Sequence, residues 1–252
     1  MKKKKLTKLG KIVVTVLVAA LATGTACILA PNLKGRSAAA VQQTAAASSS
    51  ASASPVPVES SGTDTKEHDY ATCKSLNSDF IGELKFESGL VDQNVVQSTD
   101  NDKYLNLSWD LKKDTQGAAF LDYRNNLTDQ NLIIYGHYVY YDATKMFTPL
   151  EQLRDQKNYE ANKYIDLLLA DNETRRYQIT DVFDYVMDNE SMEYYFTQYG
   201  ADYFKEYYDA VKKADFYDTG ESLTMDDHWI SLQTCVRDHD ELRQIVLAKQ
   251  IS

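Results

Sequence analysis

The chain has 252 residues, enough for one catalytic domain of ~150 to 200 residues together with accessory segments. Residues 1–66 contain nine of the 27 Lys and Arg residues but only two of the 37 Asp and Glu residues, so residues 67–252 carry a formal charge of −17. This acidic body argues against nucleic acid as a partner, because phosphate groups require a positive surface. Three cysteines in so long a chain do not form a disulfide framework.

The N-terminal segment has the pattern of a membrane anchor. Residues 1–11 are rich in lysine, and residues 12–30 contain no charged side chain. A helix of this length, at ~1.5 Å per residue, spans just under the ~30 Å hydrocarbon core. We predict a cytoplasmic basic leader at 1–11, an uncleaved transmembrane signal anchor at 12–30, and an extracellular body. A cleaved signal peptide is the competing interpretation. A lipoprotein with Cys27 as the lipid-bearing residue is a further alternative, although Gly24 stands where a lipobox has Leu.

A low-complexity segment follows the predicted anchor. Residues 31–66 consist mainly of Ala, Ser, Thr, Gln, Pro and Val and have almost no large apolar side chain. Such a composition cannot bury enough surface to offset the entropy of ordering the chain. We therefore predict a disordered linker with an end-to-end distance of roughly 33 Å, which would let the domain search the space above the membrane.

From residue 67 onward the sequence has the pattern of a strand-rich domain. A short helix is predicted over Tyr70–Leu76, and eight apolar runs of strand length, separated by polar turns, follow it. These strand candidates are residues 82–86, 94–97, 118–121, 131–137, 164–170, 177–186, 229–234 and 243–249. They predict a mainly β fold with peripheral helices, arranged as a closed or nearly closed eight-stranded barrel.

Two further helices are predicted between the strands. One covers residues 148–153, where Pro149 suits a first turn, and the other covers Ala201–Ala214, before the last two strands. The second helix carries large side chains at helical spacing: Tyr203, Phe204, Tyr207, Tyr208 and Val211. Such a stripe could form a ligand platform, but packing against the core is the interpretation that we favour.

Cys235 is the candidate nucleophile, because an apolar strand delivers it to the edge of a sheet. A thiol with an ordinary pKa near ~8.5 is mostly protonated at neutral pH, so it needs a base. His137 ends another apolar strand after Gly136 and can serve as that base. His239, four residues from Cys235, is the rival, although we interpret it as a solvated loop histidine. A disulfide between Cys73 and Cys235 is the competing interpretation of the cysteines.

Arg243 opens the strand after the cysteine, and residues 236–242 are predicted to form the loop that joins the two strands. The arginine would supply a permanent cation and a planar set of donors for the oxygen that becomes negative during acyl transfer. The competing interpretation is a surface salt bridge from Arg243 to Glu241 or Asp240. The sequence shows no His and Cys pairing at metal-ligand spacing, so we predict neither a metal nor a cofactor.

Together these residues resemble the sortase family, the cysteine transpeptidases of Gram-positive cell surfaces. The family signature is a strand ending in Thr-Leu-x-Thr-Cys, with an Arg downstream and a Gly-His upstream. Leu232, Thr234 and Cys235 match it, and Ser231 stands where the family usually has Thr. Residues 100–107, 120–125, 135–137 and 216–220 are similar to class B segments and occur in the class B order. The resemblance covers roughly residues 70–252 and identifies 67–252 as an extracellular catalytic domain.

The resemblance implies a two-step transpeptidation by Cys235, His137 and Arg243. The partners it implies are secreted proteins that carry a sorting signal and an amine of a peptidoglycan precursor. The substrate-binding residues it suggests are Asn101, Leu105, Tyr135, Gln233 and Thr234. Gln233 stands where the family often has Ser, and Val236 where an acid can occur, so the preferred motif stays open. Two rival functions remain: a surface cysteine protease that hydrolyses the acyl-enzyme, and a non-catalytic domain that binds the cell wall.

Overall fold

The structure, a computed structural model, describes residues 70–187 and 195–252. The predicted leader, membrane anchor and linker all lie outside these residues. Within the two described ranges, no helix combines the length and the apolar character that crossing a bilayer requires.

The described residues form a strand-rich domain with small helices. The α-helices are α1 (Tyr70–Leu76), α2 (Tyr159–Asn162) and α3 (Ala201–Ala214). The strands are β1 (Phe80–Phe86), β2 (Asp92–Val96), β3 (Ala119–Leu121), β4 (Asn131–Tyr135), β5 (Tyr164–Leu169), β6 (Thr174–Val186), β7 (Trp229–Val236) and β8 (His239–Gln250). Short 3-10 helices cover Lys103–Leu105, Thr148–Arg154 and Gln156–Asn158. Each strand and helix predicted between residues 70 and 252 is present.

The eight strands close into a barrel in the order β1-β2-β3-β4-β7-β8-β6-β5. Neighbouring strands are antiparallel except for the pairs β2 with β3 and β4 with β7, which are parallel. The predicted eight-stranded barrel is therefore confirmed. The β4-β7-β8 neighbourhood matters most, because it places the ends of the histidine and cysteine strands beside each other.

Buried and exposed side chains alternate along the strands, which produces a core inside the barrel and packing outside it. In β5, for example, Ile165, Leu167 and Leu169 are buried and the residues between them are partly exposed. The outer cluster lies between α3 and the strands β4, β7 and β8, where Phe204 and Tyr207 pack with Trp229. The aromatic stripe of α3 is therefore core packing, as predicted.

Several predicted strand boundaries differ from the structure by two or more residues, and two of these differences lie at the rim of the barrel near the candidate residues. The strand 131–137 ends at Tyr135, so His137 follows the strand instead of ending it. The predicted loop 236–242 is mostly strand, since β7 continues to Val236 and β8 begins at His239. Asp238 in the short turn has a φ of 61°. Polar residues extend both strands here because the hairpin tip projects beyond the core, where hydrophobic periodicity gives no signal.

Candidate active site

Cys235, His137 and Arg243 lie at the same end of three adjacent strands. Cys235 on β7 is directly opposite Arg243 on β8. On the other side of β7, Gln233 pairs with Tyr135, the last residue of β4. Cys235 lies two residues beyond Gln233 on β7, and His137 lies two residues beyond Tyr135, just after β4. The Gly136 amide donates to the Gln233 carbonyl at 3.0 Å, so the alignment persists beyond the end of β4. Neighbouring strands are ~4.8 Å apart, so the backbones that carry the three side chains lie side by side at this end of the barrel.

The catalytic candidates lie on the outer face of the barrel. Leu232 belongs to the interior cluster, and residues two apart on a strand share a face, so Gln233 and Cys235 point to the opposite side. Cys235, His137 and Arg243 are each partly buried, so they are supported by neighbours and still open to solvent. Thr234 is 2% exposed and lies on the interior side. Its side chain is therefore not among the groups that surround the thiol.

The ring of His137 is oriented by the backbone. Its Nε2 lies 2.9 Å from the carbonyl oxygen of Leu105. A carbonyl can only accept, so Nε2 carries the hydrogen and Nδ1 is the basic nitrogen of the neutral ring. A Cβ at Gly117, whose φ is +64°, would stand 3.1 Å from His137 Cδ2 and 2.3 Å from the Tyr104 carbonyl oxygen. The loop can pack closely against the imidazole only because residue 117 is glycine.

Close packing also explains why residue 136 is glycine. A Cβ at this position would meet the Phe147 ring at 2.5 to 2.8 Å. Phe147 is fully buried in the interior cluster and cannot move away easily. The Gly-His pair thus lets the chain leave β4 directly over the core before it presents the imidazole.

Arg243 is held by the backbone of its own hairpin. Its Nη1 donates to the carbonyl oxygens of Asp240 at 2.8 Å and Leu242 at 2.6 Å. The β7–β8 register shifts just beyond Cys235, so these carbonyls belong to a bulge opposite β7. Across the described ranges, Arg243 bonds to these carbonyls and not to the carboxylates of Asp240 or Glu241. A surface salt bridge from Arg243 to either acid is therefore not formed.

The remaining cysteine and histidine candidates stand apart from the site. No disulfide joins Cys73 and Cys235. His239 is exposed at the hairpin, with Nδ1 3.3 Å from Glu241 Oε1. It is the solvated histidine that the sequence predicts.

The suggested substrate residues fall into distinct roles. Asn101 and Tyr135 converge on the buried carboxylate of Asp122, which accepts from Asn101 Nδ2 at 3.1 Å and from the Tyr135 hydroxyl at 2.8 Å. Leu105 supplies the carbonyl that orients His137. Gln233 shares the outer face with Cys235. Thr234, by contrast, is buried on the interior side of β7 and does not share this face.

Tyr140 is a neighbour of the thiol that the sequence did not single out. Burial raises the pKa of its phenol, and the nearby Cys235 and Asp240 raise this pKa further, while the Arg243 cation opposes them. Its ring makes an edge contact with Tyr138 at 5.2 Å. The only sequence signal is the tyrosine-rich run directly after His137.

The acidic side chains do not assemble a metal site in the described part of the chain. No group of three or more His, Cys, Asp or Glu side chains within residues 70–187 and 195–252 has the geometry to hold a metal ion.

A thiol, an imidazole and a guanidinium at the rim of an eight-stranded barrel define a sortase-type cysteine transpeptidase. The sortase domain family matches residues 85–251, and the chain belongs to that family. Within the family it is a class B member, similar to Sortase B of Staphylococcus aureus (strain NCTC 8325 / PS 47). The two are 29% identical over 187 residues, covering 72% of this chain and 74% of that protein.

Solved structures show the same relationship. Clostridium perfringens sortase B is 26% identical, with a TM-score of 0.64, over 72% of this chain and 99% of that chain. A Staphylococcus aureus sortase B–substrate complex is 25% identical, with a TM-score of 0.64, over 73% of this chain and 84% of that chain. Family membership implies a catalytic domain that is extracellular or associated with the cell wall.

Proposed function

We propose that this protein cleaves a C-terminal sorting motif after its Thr residue and transfers the acyl group to an amine of a peptidoglycan precursor. Secreted proteins would thereby become anchored to the cell wall. The observation that supports this most is the convergence of Cys235, His137 and Arg243 on one end of β4, β7 and β8. Residues 1–11, 12–30 and 31–66 would serve as cytoplasmic leader, membrane anchor and linker for the catalytic domain.

The first step forms a thioester. The Cys235 thiol loses its proton to Nδ1 of His137, and the sulfur attacks the carbonyl carbon of the motif's Thr. The tetrahedral intermediate collapses when the C–N bond breaks. The imidazolium then returns its proton to the departing amine, so that the acyl-enzyme is left with a neutral histidine.

Arg243 stabilises the negative oxygen of that intermediate. Its Nη1 is engaged with the hairpin carbonyls, while its Nε and Nη2 make no hydrogen bond to other described residues. These remaining donors are available to an oxyanion beside Cys235. One such donor in a site that excludes water is worth ~3 kcal/mol of transition-state stabilisation.

The second step releases the acyl group. The incoming amine attacks the thioester and gives a proton to His137, the amide bond forms, and the C–S bond breaks. The departing thiolate takes that proton back from the imidazolium, which regenerates the Cys235 thiol and the neutral histidine. Water could attack the same thioester, which would make the protein a surface cysteine protease. Asn101, Leu105, Tyr135 and Gln233 would line the groove for the sorting signal, whereas Thr234 would contribute only through its backbone.

The proposal is tested with the purified full-length chain in detergent and a panel of fluorogenic sorting peptides that end in Thr-Gly or Thr-Asn. Each peptide is incubated with and without an oligoglycine amine, and the products are separated by mass. We expect cleavage after Thr, together with an amine adduct that forms only when the amine is present. Cleavage without an adduct would indicate the protease, and no cleavage of any peptide would favour the non-catalytic wall-binding domain.

A further inference from the structure

We propose that Asp122 is a positioning residue that fixes Asn101 and Tyr135 as one wall of the sorting-signal groove. The inference rests on the proposed function, because it assigns a support to the groove of that same site. Asp122 is fully buried and so cannot touch substrate itself. Its effect must pass through the residues that it binds.

The carboxylate of Asp122 follows β3 and is surrounded by donors. Oδ1 accepts from Arg124 Nε at 2.8 Å and from the Arg124 backbone amide at 2.9 Å. Oδ2 accepts from Arg124 Nη2 at 2.7 Å, the Tyr135 hydroxyl at 2.8 Å and Asn101 Nδ2 at 3.1 Å. Three side chains from separate parts of the chain therefore meet on one buried group.

Charge fixes the direction of these hydrogen bonds. Burial opposes ionisation of Asp122, but the ion pair and hydrogen bonds from Arg124, helped by the Tyr135 hydroxyl, outweigh it and hold the pKa below its usual range. At neutral pH the group is a carboxylate, which can only accept. The Tyr135 hydroxyl and the Asn101 amide must both donate to it, so each points in a single direction.

Asn101 is held at both ends of its amide. While Nδ2 donates to Asp122, Oδ1 accepts from the backbone amide of Tyr123 at 3.0 Å. These two bonds determine which way the amide faces. Replacement of the Asp122 charge removes the stronger of the two constraints, because hydrogen bonds to a charged group are roughly twice as strong as neutral ones.

Tyr135 connects this support to the reacting centre. Its ring packs against Phe120 with centroids 5.2 Å apart, and its hydroxyl is tied to Asp122. It pairs with Gln233, two residues before the nucleophile, so it stands about 7 Å from Cys235 along the strand direction. A peptide whose scissile carbonyl lies at Cys235 would extend past this ring.

The catalytic histidine has a separate support. Leu105 holds His137, and Tyr104 beside it is anchored by Asn77 Nδ2 at 2.7 Å and Asp79 Oδ2 at 2.9 Å. Loss of the Asp122 charge should therefore loosen the groove wall and leave the imidazole in place. The defect should appear in KM for the peptide and not in the reactivity of the thiol.

The experiment compares Asp122→Asn, Tyr135→Phe and the double variant of the full-length chain, using the panel peptide that the wild type cleaves fastest. Asp181→Asn is the matched control, because Asp181 is also fully buried, pairs with Lys212 at 3.0 Å and accepts from Tyr208 at 3.1 Å. We expect Asp122→Asn to raise KM about tenfold through misplacement of the groove wall. The double variant should be no worse than Asp122→Asn, because both changes break the same hydrogen bond. The rate at which iodoacetamide alkylates Cys235 should stay within about twofold of the wild-type rate in each variant.

Hydrogen exchange of the Tyr123 amide supplies a readout that needs no activity. Because this amide donates to Asn101, we expect Asp122→Asn to speed its exchange and Asp181→Asn to leave it unchanged. An unchanged KM in Tyr135→Phe, or unchanged exchange in Asp122→Asn, would overturn the inference. If Asp122→Asn does not fold, the KM of Tyr135→Phe tests the inference by itself. A wild type that cleaves no peptide would overturn the proposed function, while the exchange measurement would still test the support of Asn101.

Discussion

Cys235 and Arg243 form a directly opposed pair across β7 and β8. In such a pair the Cα atoms are ~5 Å apart and the side chains share a face, so the ladder keeps the bases of the two side chains beside each other. The carbonyl oxygens of Asp240 and Leu242 accept hydrogen bonds from Nη1 of Arg243. The hairpin thus presents a nucleophile and a preorganised cation as one rigid unit.

Arg243→Lys is expected to reduce kcat by about 100-fold or more and to change KM by less than about threefold. Lysine keeps the charge but cannot bond the two hairpin carbonyls and an oxyanion at once with a fixed planar fork. Steady-state kinetics with a sorting peptide measure this. Arg175→Lys on β6, which alters an ion pair with Glu173, should leave kcat unchanged. An Arg243→Lys enzyme with wild-type kcat would show that the charge alone suffices.

Gly136→Ala is expected to lower stability by about 1 to 3 kcal/mol and to reduce turnover, because the new methyl group would overlap the buried Phe147 ring and displace His137. Chemical denaturation and kcat report the two effects. Gly200→Ala is the control, since a Cβ there meets nothing within 4 Å. Equal behaviour of the two variants would mean that the chain around Gly136 relaxes freely and that the close approach has no consequence.

Glu83→Gln is expected to stabilise the protein at pH 8 by about 1 to 2 kcal/mol. Burial of Glu83, reinforced by its hydrogen bond with Asp92 and the charge of that group, raises its pKa to about 7. The folded state therefore holds a proton that the unfolded state releases near its ordinary pKa of ~4.3, so stability falls as the pH rises from there through 7. An amide can still donate to Asp92 without the cost of ionisation.

Denaturation of wild type and Glu83→Gln between pH 4.5 and 8 checks this dependence, with Glu206→Gln on the exposed side of α3 as control. The wild-type slope should become shallower in Glu83→Gln but not vanish, because burial also raises the pKa of Asp215, to about 6, with the same sign. Parallel curves for wild type and Glu83→Gln would contradict the assignment.

Sequence patterns located the strands because each one buries a face. Runs such as Leu132 to Ile134 and Ile245 to Ala248 are apolar because they are buried, and this can be recognised locally in the sequence. The signature around Cys235 then predicted the nucleophile. The same reasoning failed at the hairpin tip, where the extension of β7 and β8 depends on cross-strand hydrogen bonds between polar residues and not on burial.

The support of the site could not be read from the sequence, because it joins distant residues. Asp122 accepts from Asn101, 21 positions away, and from Tyr135, 13 positions away. The orienting group of His137 is a backbone carbonyl 32 positions away, and a carbonyl leaves no trace in side-chain identity. An aspartate directly after an apolar strand with an arginine two positions on was the only local signal for this network.

The thiol mechanism is tested most directly by trapping the acyl-enzyme. Wild-type protein and Cys235→Ala are each mixed, in the absence of an amine, with an intact sorting peptide that the wild type cleaves. The mixtures are quenched in acid, digested and mapped by mass spectrometry. We predict one added acyl group on the fragment that contains Cys235, which disappears when an amine is supplied and never forms in the variant. Continued cleavage by Cys235→Ala, or an acyl group on a different residue, would contradict the thiol mechanism.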